Sequence, residues 1–209
     1  VSQAFCSATL QLAAGGGGSS ELPPPPQAAT ARCSALMTRS EQLGKFAMLI
    51  RRILQNSRED LVPLHDELEA LRLYVEIESM RLEDKFDHAI TIADDIDEEM
   101  VRIPPMLMQP YVENAIWHGM AGKEGRGLIV LHVSRNGDSL TMDISDDGVG
   151  RNAPKPAGDM PTKSSLATTI TRARLDLIGK QKGRPAGFKY IDLPQGTRVE
   201  VSLPWTEEM

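Results

Sequence analysis

Cysteine is scarce in this 209-residue chain, and both copies, Cys6 and Cys33, sit in the N-terminal stretch. A disulfide framework is therefore excluded for the rest of the chain. No apolar run reaches the ~18 residues needed to cross a bilayer as a helix. Basic residues are in deficit, with 23 Lys and Arg against 29 Asp and Glu and a formal charge of −6. A general nucleic-acid binder would show a basic face instead, so no nucleic-acid partner is expected. The segment Ser2 to Ala14 is mildly apolar but lacks a basic leader, which argues against a secretory signal. The first residue is Val1 rather than Met, so a fragment is expected. What is present suffices for a core: 41% of residues are hydrophobic, and the length suits one domain with a smaller appendage.

Residues 1–39 differ in composition from the rest of the chain. Gly15 to Gly18 is a four-glycine run and Pro23 to Pro26 a four-proline run. Such a segment buries too little apolar area to offset its ordering entropy, and it reads as disordered or non-native linker. From Glu41 a helical period sets in, with Leu43, Phe46, Ala47, Ile50, Ile53 and Leu54 on one face. A second helix carries Leu64, Leu68, Leu71, Val75 and Leu82 as a stripe, with Glu67, Glu69, Arg72, Glu76 and Arg81 on its sides. The pair suits either a helical hairpin with a dimer seam or a helix lying on the next domain's core.

The period then changes. His88 to Ile92 alternates as a strand, and Asp94 to Glu99 is an acidic turn. Pro104-Pro105 opens a predicted helix through about His118. Leu128 to Ser134 and Leu140 to Ser145 read as a hairpin turning at Asn136-Gly137. A loop rich in Gly, Pro and Lys runs from Gly148 to Lys163. A helix over about Leu166 to Leu177 precedes two last strands, Phe188 to Leu193 and Arg198 to Leu203, joined by Pro194-Gln195-Gly196. This order predicts an α+β fold, a mixed sheet covered by helices on one face.

Three local patterns carry chemistry. Met108, Val112, Ala115 and Ile116 form a buried stripe, leaving Glu113 and Asn114 together at its edge. A carboxylate and an amide oxygen placed so can hold Mg²⁺, a hard cation that keeps several waters and bridges to phosphate. They can equally be solvated. Asp146, Gly148 and Gly150 end a strand, where glycine lets backbone approach a ligand and Asp146 can accept from an exocyclic amine. The same residues also make an ordinary turn. Gly196-Thr197 enters the final strand.

Taken in order and spacing, the three resemble the GHKL superfamily of ATP-binding domains. Glu113-Asn114-Ala115 looks like its N-box, Asp146-x-Gly148-x-Gly150 like its first glycine box, and Gly196-Thr197 like its late Gly-Thr element. The phrase from Ile103 to Gly119 is more specific and closely resembles the LytS-like sensor histidine kinases. Phe46 to Leu54 and Val62 to Phe86 are similar to upstream helices of that family, through Leu64, Glu67, Leu68, Tyr74, Glu78 and Arg81. The resemblance covers roughly residues 40–204.

The resemblance implies a two-layer α/β sandwich over 87–209 that binds ATP and Mg²⁺, preceded over 40–86 by partial dimerisation and phosphotransfer helices. It implies that Asn114 coordinates Mg²⁺, that Glu113 holds the ion or its water, and that His118 reaches a phosphate. Asp146 would accept from the adenine amino group, with Gly148 and Gly150 beside the base and Thr197 supporting it through a water. Asn152 to Lys163 would be the lid, with Lys155, Lys163 and Ser165 near phosphate. The implied activity is a protein-histidine kinase that passes the γ-phosphoryl group to a histidine and then to a response regulator. The resemblance also implies a homodimer through the N-terminal helices, in the cytoplasmic part of an inner-membrane protein. Pro110 occupies the position where hydrolysing members carry a catalytic Glu, which favours a kinase over an ATPase.

Several positions depart from the family pattern. The family's Pro-His-Phe acceptor motif is missing: His65, His88, His118 and His132 all lie after Phe46, and none precedes a Phe. His65 is the fallback acceptor. Ala167 stands where the second glycine box has Gly, Asp147 replaces an Asn and adds negative charge near the nucleotide, and Trp117 replaces a Lys. The alternative is a nucleotide-binding module without its own phosphoacceptor, acting through dimer contacts. A serine kinase of the anti-sigma type fits the Ile103 to Gly119 phrase poorly.

Overall fold

A computed structural model describes the backbone of residues 27–120, 122–151 and 163–206, with side chains for 40–120, 122–151 and 168–206. The chain divides into two compact units, residues 1–45 and 46–209. Helix α1 (Gln27–Asn56) begins inside the stretch read as linker. Strand β1 (Val62–Pro63), helix α2 (Leu64–Arg81), strand β2 (Phe86–Ile92) and strand β3 (Arg102–Ile103) come next. Helix α3 (Gln109–Asn114) runs on into a π-helical turn (Ala115–Met120). Strands β4 (Gly127–Asn136) and β5 (Ser139–Asp146), helix α4 (Lys163–Lys182), and strands β6 (Gly187–Asp192) and β7 (Thr197–Pro204) complete the chain.

The large sheet has the order β2-β4-β5-β7-β6. β2 pairs with β4 in parallel, from Phe86 opposite Gly127 to Ile92 opposite Val133, and the other pairings are antiparallel. A parallel neighbour needs a crossover connection. Here the crossover contains β3 and α3, so topology sets the Asn114 helix against the sheet. Alternation does the rest. Ile129, Leu131 and Val133 of β4, Leu140, Met142 and Ile144 of β5, and Val199, Val201 and Leu203 of β7 are buried on one face. The expected mixed sheet covered on one face is what forms.

Leu64, Leu68, Leu71 and Val75 of α2 join that same core. Of the two readings of α2, the structure selects a helix lying on the core. Glu67 does not decorate its side as the sequence suggested, because it is 3% exposed. In α1 the apolar face predicted from sequence points outward: Leu43, Phe46, Ile50 and Leu54 are exposed, while Leu49 is buried. The predicted helix from Pro104-Pro105 also starts later, at Gln109. The prolines belong instead to a turn in which Met106 adopts φ 55°. A short antiparallel pair, β1 with β3, ties the start of α2 to this turn, with Val62 opposite Ile103.

Tyr111 anchors α3 on β6. Its ring lies 5.1 Å from Phe188 and 6.5 Å from Tyr190, and those two rings meet edge to face at 5.7 Å. The Tyr111 hydroxyl is buried without a hydrogen-bond partner among the described residues. An unpaired buried hydroxyl costs about 1–3 kcal/mol. Tyr111→Phe is therefore expected to leave thermal stability unchanged or to raise it, whereas Tyr111→Ala should cost about 3–5 kcal/mol. Denaturant unfolding of both variants checks this; a clear loss in Tyr111→Phe would show that the hydroxyl has a partner.

Candidate nucleotide site

The alternation of β5 carries one step past Ile144 and places Asp146 on the core side, 8% exposed. A buried carboxylate needs donors. Asp146 Oδ1 accepts from the Gly148 N–H at 2.9 Å, and the Thr197 N–H donates as well. Thr197 is buried and lies opposite Asp146 in the β5–β7 register. Burial raises the Asp146 pKa above its ordinary value, and the two amides only partly offset this.

Backbone crowding holds the carboxylate in place. A Cβ on Gly148 would collide with the Gly119 backbone, and one on Gly196, which has φ 82°, would collide with the Asp146 carbonyl. The Val149 N–H donates to the Gly119 carbonyl at 3.2 Å, so the end of the π-helical turn and the loop after β5 are in direct backbone contact. Around them opens a cleft of ≈ 780 Å³, lined by Lys123, Gly148, Gly150, Arg151, Gln195 and Gly196, among others.

Asn114 and Glu113 lie on α3 above the predicted buried stripe, and Met108, Val112, Ala115 and Ile116 are all buried. Asn114 Oδ1 is buried and has no hydrogen-bond partner among the described residues. The Tyr190 hydroxyl bonds the side chains of Asn114 and Thr168. Burial raises the Tyr190 pKa against these contacts. Glu113 Oε1 accepts from Gln109 Nε2 at 2.8 Å. His118 is exposed in the π-helical turn, and Trp117 beside it lies under the Arg81 guanidinium at 4.2 Å. Lys163 and Ser165 fall at the start of α4, with side chains outside the described residues; Ala167 is placed likewise, and Lys155 lies in a stretch outside them altogether.

No cluster of three or more His, Cys, Asp or Glu suited to a metal exists among the described residues. An all-protein cage is thus not the arrangement here. Mg²⁺ keeps most of its waters and needs only one or two protein oxygens beside phosphate. The unpartnered Asn114 Oδ1, next to Glu113, fits that requirement.

Similarity to known proteins bears on this geometry. Residues 31–86 match the family model for histidine kinases. The sensor protein LytS of Oceanobacillus iheyensis is 32% identical over 108 residues, covering 52% of this chain and 18% of that protein. The sensor histidine kinase YpdA of Escherichia coli is 32% identical over 153 residues, covering 70% of this chain and 25% of that protein. This chain belongs to the LytS-like histidine kinase family. It spans a quarter or less of the length of these two relatives. A solved structure of the Acinetobacter baumannii histidine kinase AdeS superposes with a TM-score of 0.50 at 12% identity, covering 99% of this chain and 96% of that one, which speaks for the fold alone.

Within this LytS-like chain, the negative charge that Asp147 adds is met by a lysine. Lys123 Nζ lies 2.7 Å from Asp147 Oδ2 and donates to the Asp147 carbonyl at 2.8 Å. The Leu128 N–H donates to Oδ1 at 2.8 Å, and Gln195 Nε2 reaches the carbonyl at 3.1 Å. Asp147 thereby joins three segments of the cleft rim. Sequence reading missed Lys123, because a single lysine in a loop 24 residues away carries no signal of its partner. Tyr190 was hidden for the same reason. Glu67 was detectable in principle, since it falls on the Leu64, Leu68, Leu71 stripe as an acid at a core position.

Burial alone would raise the Asp147 pKa, but the Lys123 hydrogen bond and charge with the Leu128 amide outweigh it and lower it below the usual carboxylate range. A depressed carboxylate stabilises the fold fully above its unfolded value and loses that share as pH falls through the folded one. The Asp147 side chain is 44% exposed, so roughly 0.5–1 kcal/mol is at stake. Asp147→Asn is expected to melt earlier at neutral pH and to converge with wild type below about pH 4. A gap that persists into acid would assign the effect to packing rather than charge.

Proposed function

We propose that this chain binds ATP with Mg²⁺ and serves as the kinase portion of a two-component sensor. It would direct the γ-phosphoryl group to a histidine for relay to a response regulator. The observation that carries this reading is Asp146. It is a buried carboxylate pinned by the Gly148 and Thr197 amides beside an open cleft whose lining includes Gly148, Gly150 and Gly196. A carboxylate offers about four lone-pair positions. The two amides leave capacity for an exocyclic amine, which adenine presents and guanine does not at the same place. Gly148 and Gly150 let the chain pass close to the base, and Thr197 supports it from β7.

Asn114 supplies an oxygen to Mg²⁺ in this reading, with Glu113 holding a water of the ion and His118 free to meet a phosphate. Bound Mg²⁺ would bridge phosphate oxygens and offset charge there. Lys163 and Ser165, at the start of α4, sit where helix amides favour anions. An imidazole is its own nucleophile, so no residue is needed to activate water. Pro110, one turn before Asn114, provides no base for hydrolysis.

The domain assignment is that residues 87–209 carry the ATP site and 40–86 form the helical region, in which α1 supplies the homodimer surface while the stripe of α2 is taken up by the core. The exposed Leu43, Phe46, Ile50 and Leu54 of α1 support that surface. The kinase portion would work in the cytoplasm; among the described residues no helix is long and apolar enough to cross a membrane. The missing Pro-His-Phe motif favours a second reading. In it the chain binds nucleotide without phosphorylating itself and acts through dimer contacts.

Calorimetry with ATP–Mg²⁺ tests the first reading. Wild type is expected to bind, and Asn114→Ala to bind at least about tenfold more weakly. Absence of binding by wild type at millimolar nucleotide would sink it. A helical hairpin bearing a Pro-His-Phe motif, added in trans with γ-labelled ATP, separates the two readings. Label on the hairpin histidine is expected for a kinase and absent for a binding-only module.

A further inference from the structure

Glu67 has no role in the proposed nucleotide site, yet it is 3% exposed, and a buried carboxylate needs a reason. It accepts from the Met106 N–H at 2.8 Å and the Met108 N–H at 3.4 Å, and the Leu107 N–H donates as well. These amides lead directly into α3. That helix has no cap of its own: Met108 makes no side-chain capping bond, and a proline lies in the first turn with no N–H to offer. A carboxylate from α2 thus takes the place of a local Ser or Asp. Burial raises the Glu67 pKa above its ordinary value, and the three amides offset this in part. On the other side, Arg174 of α4 donates from Nη1 to the Pro105 carbonyl at 2.7 Å, and its charge adds a smaller offset.

The turn over 104–108 is therefore gripped from two elements. It also contains Met106 at φ 55°, a conformation that non-glycine residues adopt at a cost and keep only when surrounding contacts impose it. The pairing of β1 with β3, and the Leu64 N–H bond to the Val101 carbonyl at 2.8 Å, tie the first turn of α2 to the same place. Asn114 lies two helical turns beyond it. Asp146 instead takes its hydrogen bonds from the loop after β5 and from β7, not from α2.

We propose that Glu67 and Arg174 are positioning residues that set the helix carrying Asn114. The metal-binding half of the site then answers to the placement of α2 more strongly than the adenine half, which meets the helix carrying Asn114 only at its far end, through the Gly119 backbone. This rests on the nucleotide-site reading. It makes α2 a lever on metal–phosphate binding.

The test compares two affinities by calorimetry on the full 209-residue chain: ATP with Mg²⁺, and ADP in the presence of a chelator. In Glu67→Gln, which keeps the shape but turns an N–H₂ toward the amides, affinity for ATP–Mg²⁺ is expected to fall about 10–100-fold. Affinity for metal-free ADP should stay within about twofold. Arg174→Met is expected to shift the same ratio in the same direction, and Arg174→Lys, which can still donate to Pro105, to restore most of it. Equal loss of both affinities, or loss of neither, overturns the proposal and leaves Glu67 a stability element alone. If Glu67→Gln does not fold, the Arg174 pair decides: Lys and Met behaving alike overturns it. Failure of wild type to bind either nucleotide is a distinct result, which removes the nucleotide-site reading and this inference together.

Discussion

A carboxylate taken out of water has to be met by donors, and the far end of β5 is organised around that requirement. Asp146 is inside because the alternation that buries Leu140, Met142 and Ile144 runs one step further. Its donors come from the backbone of Gly148 and Thr197. Gly148 and Gly196 have no Cβ, which lets the neighbouring backbone approach, and an open cleft remains beside the carboxylate. A methyl group at Gly148 would push the loop after β5 off the π-helical turn, and one at Gly196 would push the β6–β7 turn off the end of β5.

The second half of the site hangs on the crossover between parallel strands. β2 and β4 run in parallel, so the chain between them must return across the sheet, and α3 lies on that return path. The packing of Tyr111 on Phe188 and Tyr190 holds the helix from below. Glu67 and Arg174 hold its leading turn from either side. Asn114 ends α3 where the helix loosens into a π turn, a feature common at functional positions, and it keeps an oxygen without a partner among the described residues. Asp146 takes its hydrogen bonds from the sheet side and Asn114 is held by the helices, and the two halves meet at Gly119, whose carbonyl accepts from the Val149 N–H.

Charge around the cleft is balanced locally. Asp147 adds a carboxylate beside the proposed base site, but Lys123 meets it with both a side-chain and a backbone contact. Arg151 stacks on Tyr190 at 4.3 Å and lies 3.9 Å from Asp192. A change that looks unfavourable in one dimension is compensated in three, since Lys123 is remote in sequence and adjacent in space.

Much of this was readable from residues alone, and the limits have a physical cause. Period and punctuation located the strands, because a half-buried strand must alternate and a tight turn must use residues such as Asn136-Gly137. Order and spacing from Ile103 to Thr197 identified the family, because the Ile103 to Gly119 phrase is a local run of residues that can be read without knowing which surfaces meet. Tertiary structure alone decided that α2 lies on the core and that the apolar face of α1 points outward. It also placed Pro104-Pro105 in a turn rather than in the helix. These outcomes depend on which surfaces meet, and a helical stripe fits a dimer seam as well as it fits a sheet. A buried acid, likewise, becomes a clamp only when the fold brings three free amides to it.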